Sequence, residues 1–230
     1  MRDQLSGDTW IVIGGLDREI RHLRASVGTR QAMVQGSLGR VMTGLLAFAG
    51  LGAESMVRDP GWHFMDAGRR VERAIQLASL LRATVTTERD NATDSLLLES
   101  VLTTAESIIT YRRRYRSQAQ LETVLELLVL DRGNPRSLAH QLHALEADLA
   151  ALPSGERQGR LDPAQRLALE AHTALRVIDP AHLAKADSTG WRGDLDAYLA
   201  RTIELLCKTA DAIDSTHFTH LPPQHALMGG

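Results

Sequence analysis

At 230 residues, with 43% of them apolar, the chain is long enough to bury a substantial core. Its formal charge is −2, so wholesale electrostatic binding to nucleic acid or to an anionic membrane is not expected from charge alone, and only a local basic patch is left open. Cys207 is the only cysteine; a disulfide framework is therefore excluded, and a cytoplasmic setting with a buried, inert thiol is expected.

The first ten residues lack the basic-then-apolar layout of a signal peptide. The longest nearly uncharged apolar run, 41–53, contains three glycines and falls short of the roughly 20 residues that span a bilayer. Helices are expected at about 4–25, 30–52, 61–87, 94–116, 118–131, 135–152, 163–178 and 191–216. The second carries a stripe of small residues, Ala32, Gly36, Gly39 and Thr43, expected to admit another helix at close range, with a flexible binding surface as the alternative. Asp59-Pro60, Asn134-Pro135, Asp162-Pro163 and Asp179-Pro180 each place a capping side chain before proline at the first helical position. Aromatic residues make up only 4% of the chain, and no segment alternates as a strand does. The expectation is an all-α, antiparallel helical bundle of about seven to eight helices. One domain covers 1–216 and an irregular tail covers 217–230. The weakest linkers are 86–93, 153–161 and 179–190.

The third helix carries the chemistry. Phe64, Ala67, Val71, Ala74 and Ala78 form its core stripe, while Trp62, Asp66, Arg69 and Arg73 share the opposite face with His63 and Arg70 beside them. That face continues into Leu77 and Leu80, so its charges stand at the edge of a dry region, where unpaired charge is costly. A structural ion-pair network and an anion-binding or catalytic site both fit. Tyr111-Arg112-Arg113-Arg114-Tyr115 closes another helix with three guanidiniums. They complement the helix dipole, or clamp a phosphate or carboxylate with Tyr111 and Tyr115 as flanking contacts. Asn134 and Arg136, at the start of a further helix, are either capping residues or part of an anion site. The histidine pairs 140/143 and 217/220 lack companion ligands at metal-binding spacing. No phosphate-binding glycine loop and no nucleophile elbow is present.

The run Gly68-Arg69-Arg70-Val71-Glu72-Arg73, read as G-R-x-x-E-R, together with the stretches at 4–10, 109–115, 130–138 and 217–221, resembles the bacterial alpha-E domain family. The resemblance implies an all-helical domain often fused to, or encoded beside, circularly permuted ATP-grasp proteins and transglutaminase-like proteins. Family members usually carry two such runs, so with one this chain looks like the C-terminal two-thirds of the domain. The remainder would come from a missing N-terminal segment or another copy. What the resemblance implies is an accessory or binding module of a peptide-ligating or peptide-modifying system. ATP would enter only through an ATP-grasp partner. In that module Arg69, Arg70, Arg73, Arg112, Arg113, Arg114, Asn134 and Arg136 hold an anion. Glu72 orients them or accepts a proton, supported by Trp62, His63, Asp66, Tyr111 and Tyr115. The rival readings are an enzyme in its own right with Glu72 as general base, and a purely structural bundle.

Overall fold

The computed structural model describes residues 5–25, 31–153 and 159–218. The chain forms two compact units, Met1–Trp62 and His63–Gly230. Every regular element among the described residues is helical, as the sequence pattern requires, and none of these helices is long and apolar enough to cross a membrane.

The first unit is a helical hairpin of α1 (Gly7–Ala25) and α2 (Gln31–Ser55). Ser6 caps α1, its hydroxyl accepting from the Thr9 amide at 3.2 Å. Leu16 meets Gly44 and Glu19 meets Arg40, so position falls on one helix as it rises on the other and the pair is antiparallel. The closest approach is at Gly44, where an added Cβ would stand 2.7 Å from Leu16 Cδ2. The expected small-residue stripe is not that seam. A Cβ at Gly39 would meet nothing within 4 Å, and one at Gly36 would meet only the Arg40 side chain. Much of the unit's apolar surface is uncovered, including Ile11, Met42, Leu45 and Leu46. Near its end Trp62 donates its indole N–H to the Gly52 carbonyl at 3.1 Å and lies under the Arg58 guanidinium.

The second unit is built around α3 (Pro60–Val85), whose buried Ala67, Val71, Ala74, Ala78, Leu81 and Val85 repeat at helical spacing. Asp59 caps this helix through the Trp62 amide at 3.0 Å. Two neighbours run antiparallel to α3. The first is α7 (Leu138–Ala151), joined through His63 to Asp148 and Arg70 to Gln141. The second is α10 (Gly193–His217), joined through Phe64 to His217 and Arg82 to Asp196. Helix α8 (Pro163–Arg176) packs against both α7 and α10. It opens with a full capping box between Asp162 and Gln165. The short α9 (Pro180–Leu183) is capped by Asp179.

Three differences from the sequence pattern have local causes. The helix expected at 94–116 is two, α4 (Asn91–Thr104) and α5 (Ile108–Tyr115). Between them Glu106 takes a left-handed φ of 50°. The amides of Glu106 and Ser107 close back on the Thr103 and Leu102 carbonyls at 3.0 and 2.8 Å. This is a Schellman stop with glutamate where glycine usually stands, so no glycine announces it. The helix expected at 118–131 is α6 (Leu121–Leu125) running into a π turn, Glu126–Leu130, closed by the Asp131 amide on the Glu126 carbonyl at 2.9 Å. Finally, Asn134-Pro135 does not start a helix. Ser137 caps α7 instead, accepting from His140 N at 3.1 Å, because the Asn134 amide is buried as a brace, donating to Leu127 O and Ser107 Oγ.

The expected linkers 86–93 and 179–190 are knotted together. Arg192, buried, donates to the carbonyls of Ala184 and Val85 at 3.1 and 3.0 Å and faces Glu88 and Asp94. Its amide meets Thr86 O at 2.8 Å, and Glu88 N meets Gly190 O at 2.7 Å. Gly190 holds the turn at a φ of +81°, a conformation that costs glycine alone little. Most of linker 153–161 and of the tail 217–230 lies outside the described residues.

Candidate functional site

The charged face of α3 meets α7, and the result is a line of polar groups through an otherwise leucine-lined seam. Asp66, 2% exposed, accepts from Arg69 and, at 3.0 Å, from Arg70 Nε. Burial pushes its carboxyl up, but Arg70 and Arg69 together overcome this and hold it below the usual carboxylate range. Arg70 also donates to Gln141 Oε1 at 3.3 Å, and Gln141 donates onward to the Pro135 carbonyl at 2.6 Å. On the other side His63 Nδ1 lies 2.9 Å from Asp148 Oδ1. Burial lifts the Asp148 carboxyl to about 6; the His63 contact opposes this and the neighbouring Asp66 adds to it. Asp148 Oδ2 and Arg69 Nε are buried without a hydrogen-bond partner among the described residues.

One turn beyond Arg69, Arg73 has no carboxylate of its own among the described residues. Burial lowers its guanidinium, and Arg69, Arg136 and Arg70 lower it further. Arg73 and Arg136 line one cleft of about 190 Å³ with Leu77, Leu80, Ala105 and Gln141. Arg136 enters it from the turn before α7, where its amide donates to Asn134 Oδ1 at 3.0 Å. Its side chain is paired with Glu106, the left-handed residue of the α4–α5 stop.

Of the residues singled out by sequence, then, His63, Asp66, Arg69, Arg70, Arg73 and Arg136 are drawn into one polar region, and the others fall elsewhere. Glu72 is exposed, accepts the Gln76 amide at 2.7 Å, and lines a different groove of about 450 Å³ with Phe64, Ile75, Cys207 and Ile213. Arg112 pairs with Glu99, and Arg114 donates to Asp131 at 2.6 Å. Arg113 lines a separate shallow surface with Thr110 and Arg114. Tyr111 is a core residue whose hydroxyl meets Thr123 Oγ1 at 2.6 Å, and Tyr115 donates to Glu126 at 3.1 Å. Asn134 is the brace described above. Trp62 belongs to the first unit. Cys207 is exposed rather than buried, because α10 turns Leu199, Thr202, Leu206 and Thr209 inward and position 207 points off that stripe.

Gln141, Asp148 and Glu106 carry this region and were not singled out by sequence. Gln141 and Asp148 had a signal: both interrupt the buried face of α7 made by Leu138, Leu142, Leu145 and Leu149. A polar residue inside a leucine stripe requires a buried partner. Among the described residues no group of three or more histidine, cysteine, aspartate or glutamate side chains is placed to hold a metal ion.

The family model called Alpha-E, described as a predicted alpha-helical domain with a conserved ER motif, matches residues 1–218. Uncharacterised proteins of Mycobacterium bovis and of two Mycobacterium tuberculosis strains are 36% identical over 233 residues. Those alignments take in 100% of this chain and 25% of each relative, so the chain spans a quarter of their length. No solved structure matches it. With the ER run at Glu72-Arg73 on α3 and a match across nearly its whole length, the chain belongs to the Alpha-E family.

Proposed function

We propose that this chain is a binding module whose α3–α7 cleft receives an anionic group between Arg73 and Arg136. The observation that carries the reading is Arg73, a half-buried guanidinium surrounded by three other arginines, lining a cleft and lacking a carboxylate partner among the described residues. Charge of one sign gathered in a partly dry recess raises the local concentration of the opposite sign. Arg69 and Arg70 serve a different purpose. They are spent on Asp66, and that network fixes the helix positions that hold Arg73 in place. The structural-bundle reading therefore accounts for these two arginines and leaves Arg73 over.

Glu72 lies on another groove, so the cleft offers no general base at that position, and binding fits it better than turnover. The family resemblance supplies the setting: a module that works with a circularly permuted ATP-grasp or transglutaminase-like protein in peptide ligation or modification. ATP is then bound by the partner. The test is thermal denaturation with increasing acetate, glutamate or inorganic phosphate at constant ionic strength. A saturable rise in Tm that Arg73→Met abolishes supports the site. No anion-specific rise overturns it.

A further inference from the structure

Resting on that reading, we propose that the anion is a monocarboxylate carrying a short apolar body, of the kind found at the end of leucine or of a peptide that terminates in it.

Charge sets the first limit. Four guanidiniums, of Arg69, Arg70, Arg73 and Arg136, share this region with three carboxylates, of Asp66, Asp148 and Glu106. Of these, Arg73 and Arg136 line the cleft and Glu106 already pairs with Arg136, so the charge of Arg73 is left over there, which a monoanion balances and a phosphate dianion overshoots.

The walls set the second. Leu77, Leu80 and Ala105 make the cleft more apolar than polar, so the charged head has an aliphatic surface beside it. At about 190 Å³ the cleft is smaller than the roughly 300–1,000 Å³ of sites that enclose drug-sized ligands. It holds one side-chain-sized end of a ligand and no nucleotide.

The third observation shows the chemistry in place. Glu106 already lays a carboxylate on Arg136, and it does so from a left-handed backbone position at a helix stop where glycine is the usual residue. A strained, non-glycine residue whose side chain covers a binding arginine is the pattern expected of a functional site, where local strain is retained. Glu106 is a carboxylate of the chain that already pairs with Arg136, and the incoming carboxylate engages Arg73 and competes with Glu106 for Arg136.

Calorimetric titration of the full chain tests this with five probes: N-acetyl-leucine, its primary amide, a pentapeptide ending in leucine, the same peptide C-terminally amidated, and inorganic phosphate. The expectation is that N-acetyl-leucine or the free-acid peptide binds while both amides and phosphate fail. The peptide binding more tightly than the amino acid identifies a peptide terminus as the source, and equal affinity identifies a free small carboxylate. Arg73→Met weakens binding by about 10- to 100-fold, the loss of a charge-assisted pair. Arg73→Lys, which keeps the charge and loses the fork, weakens it less and guards against a folding defect in the first variant. Glu106→Gln strengthens binding by removing the competitor. Phosphate binding through Arg73 without carboxylate binding overturns the carboxylate inference and leaves the anion site standing. Carboxylate binding that is indifferent to both Arg73 variants, or no binding by any probe, overturns both.

Discussion

Replacing Asp148 with asparagine should make the protein more stable at pH 8 and leave it little changed at about pH 3, below the ordinary carboxylate value. In the fold the Asp148 carboxyl titrates at about 6, against an ordinary value of 3.8. Below pH 3.8 both folded and unfolded chains hold the proton. Between 3.8 and 6 only the folded chain does, so stability falls as pH rises through that window and flattens above it. The full gap corresponds to a cost of up to about 3 kcal/mol at pH 8. Its cause is physical: the ionised side chain is only 6% exposed, stands near a second carboxylate, and leaves Oδ2 unpaired. Asparagine keeps the shape and an acceptor for His63, while its amide can donate toward Asp66. Urea unfolding followed by circular dichroism at pH steps from about 3 to 8 would measure this. The variant should gain about 1–3 kcal/mol at the alkaline end and lose this part of the wild-type slope. Equal destabilisation at every pH, or an unchanged slope, would show that the Asp148 charge is not the cost.

Two further predictions concern the frame of the molecule. Arg192→Met should lower stability by about 2–4 kcal/mol, because it leaves the buried Val85 carbonyl and the half-buried Ala184 carbonyl without their donor; thermal denaturation with Tm unchanged would refute this. Cys207 should react with an aromatic disulfide reagent in the native protein at a rate within a few-fold of that in denaturant. A native thiol that labels only on unfolding would contradict its exposure.

The helix starts at Asp59, Asp162 and Asp179 were legible because an N-cap acts over three residues, a range that sequence spacing displays. Asn134-Pro135 has the same signature but spends its side chain on contacts with Leu127 and Ser107, which are distant in sequence. The break at Glu106 was invisible for a related reason. Its stop is made by backbone bonds to Leu102 and Thr103, and glutamate is a good helix former. At the site, Arg69, Arg70 and Arg73 stood out as charges on a helix about to be buried. What they face could not be read from α3 itself. Gln141 and Asp148 lie more than seventy residues away and gain their meaning only when α7 is laid beside α3. Cys207 is the one placement that the period of its own helix already contained.

The junction made by Arg192 also fixes an order of assembly. Its guanidinium reaches the Val85 carbonyl across 107 residues of chain, whereas the caps and helical turns around it close over three to five. Loop closure of that length is unfavourable until other contacts have shortened it. During synthesis the carbonyls of Val85 and Thr86 therefore cannot meet their Arg192 donors until the segment before α10 has emerged. The second unit becomes complete only when its last helix arrives. That arrival seals the end of α3, the same helix that carries Arg73 about three turns earlier.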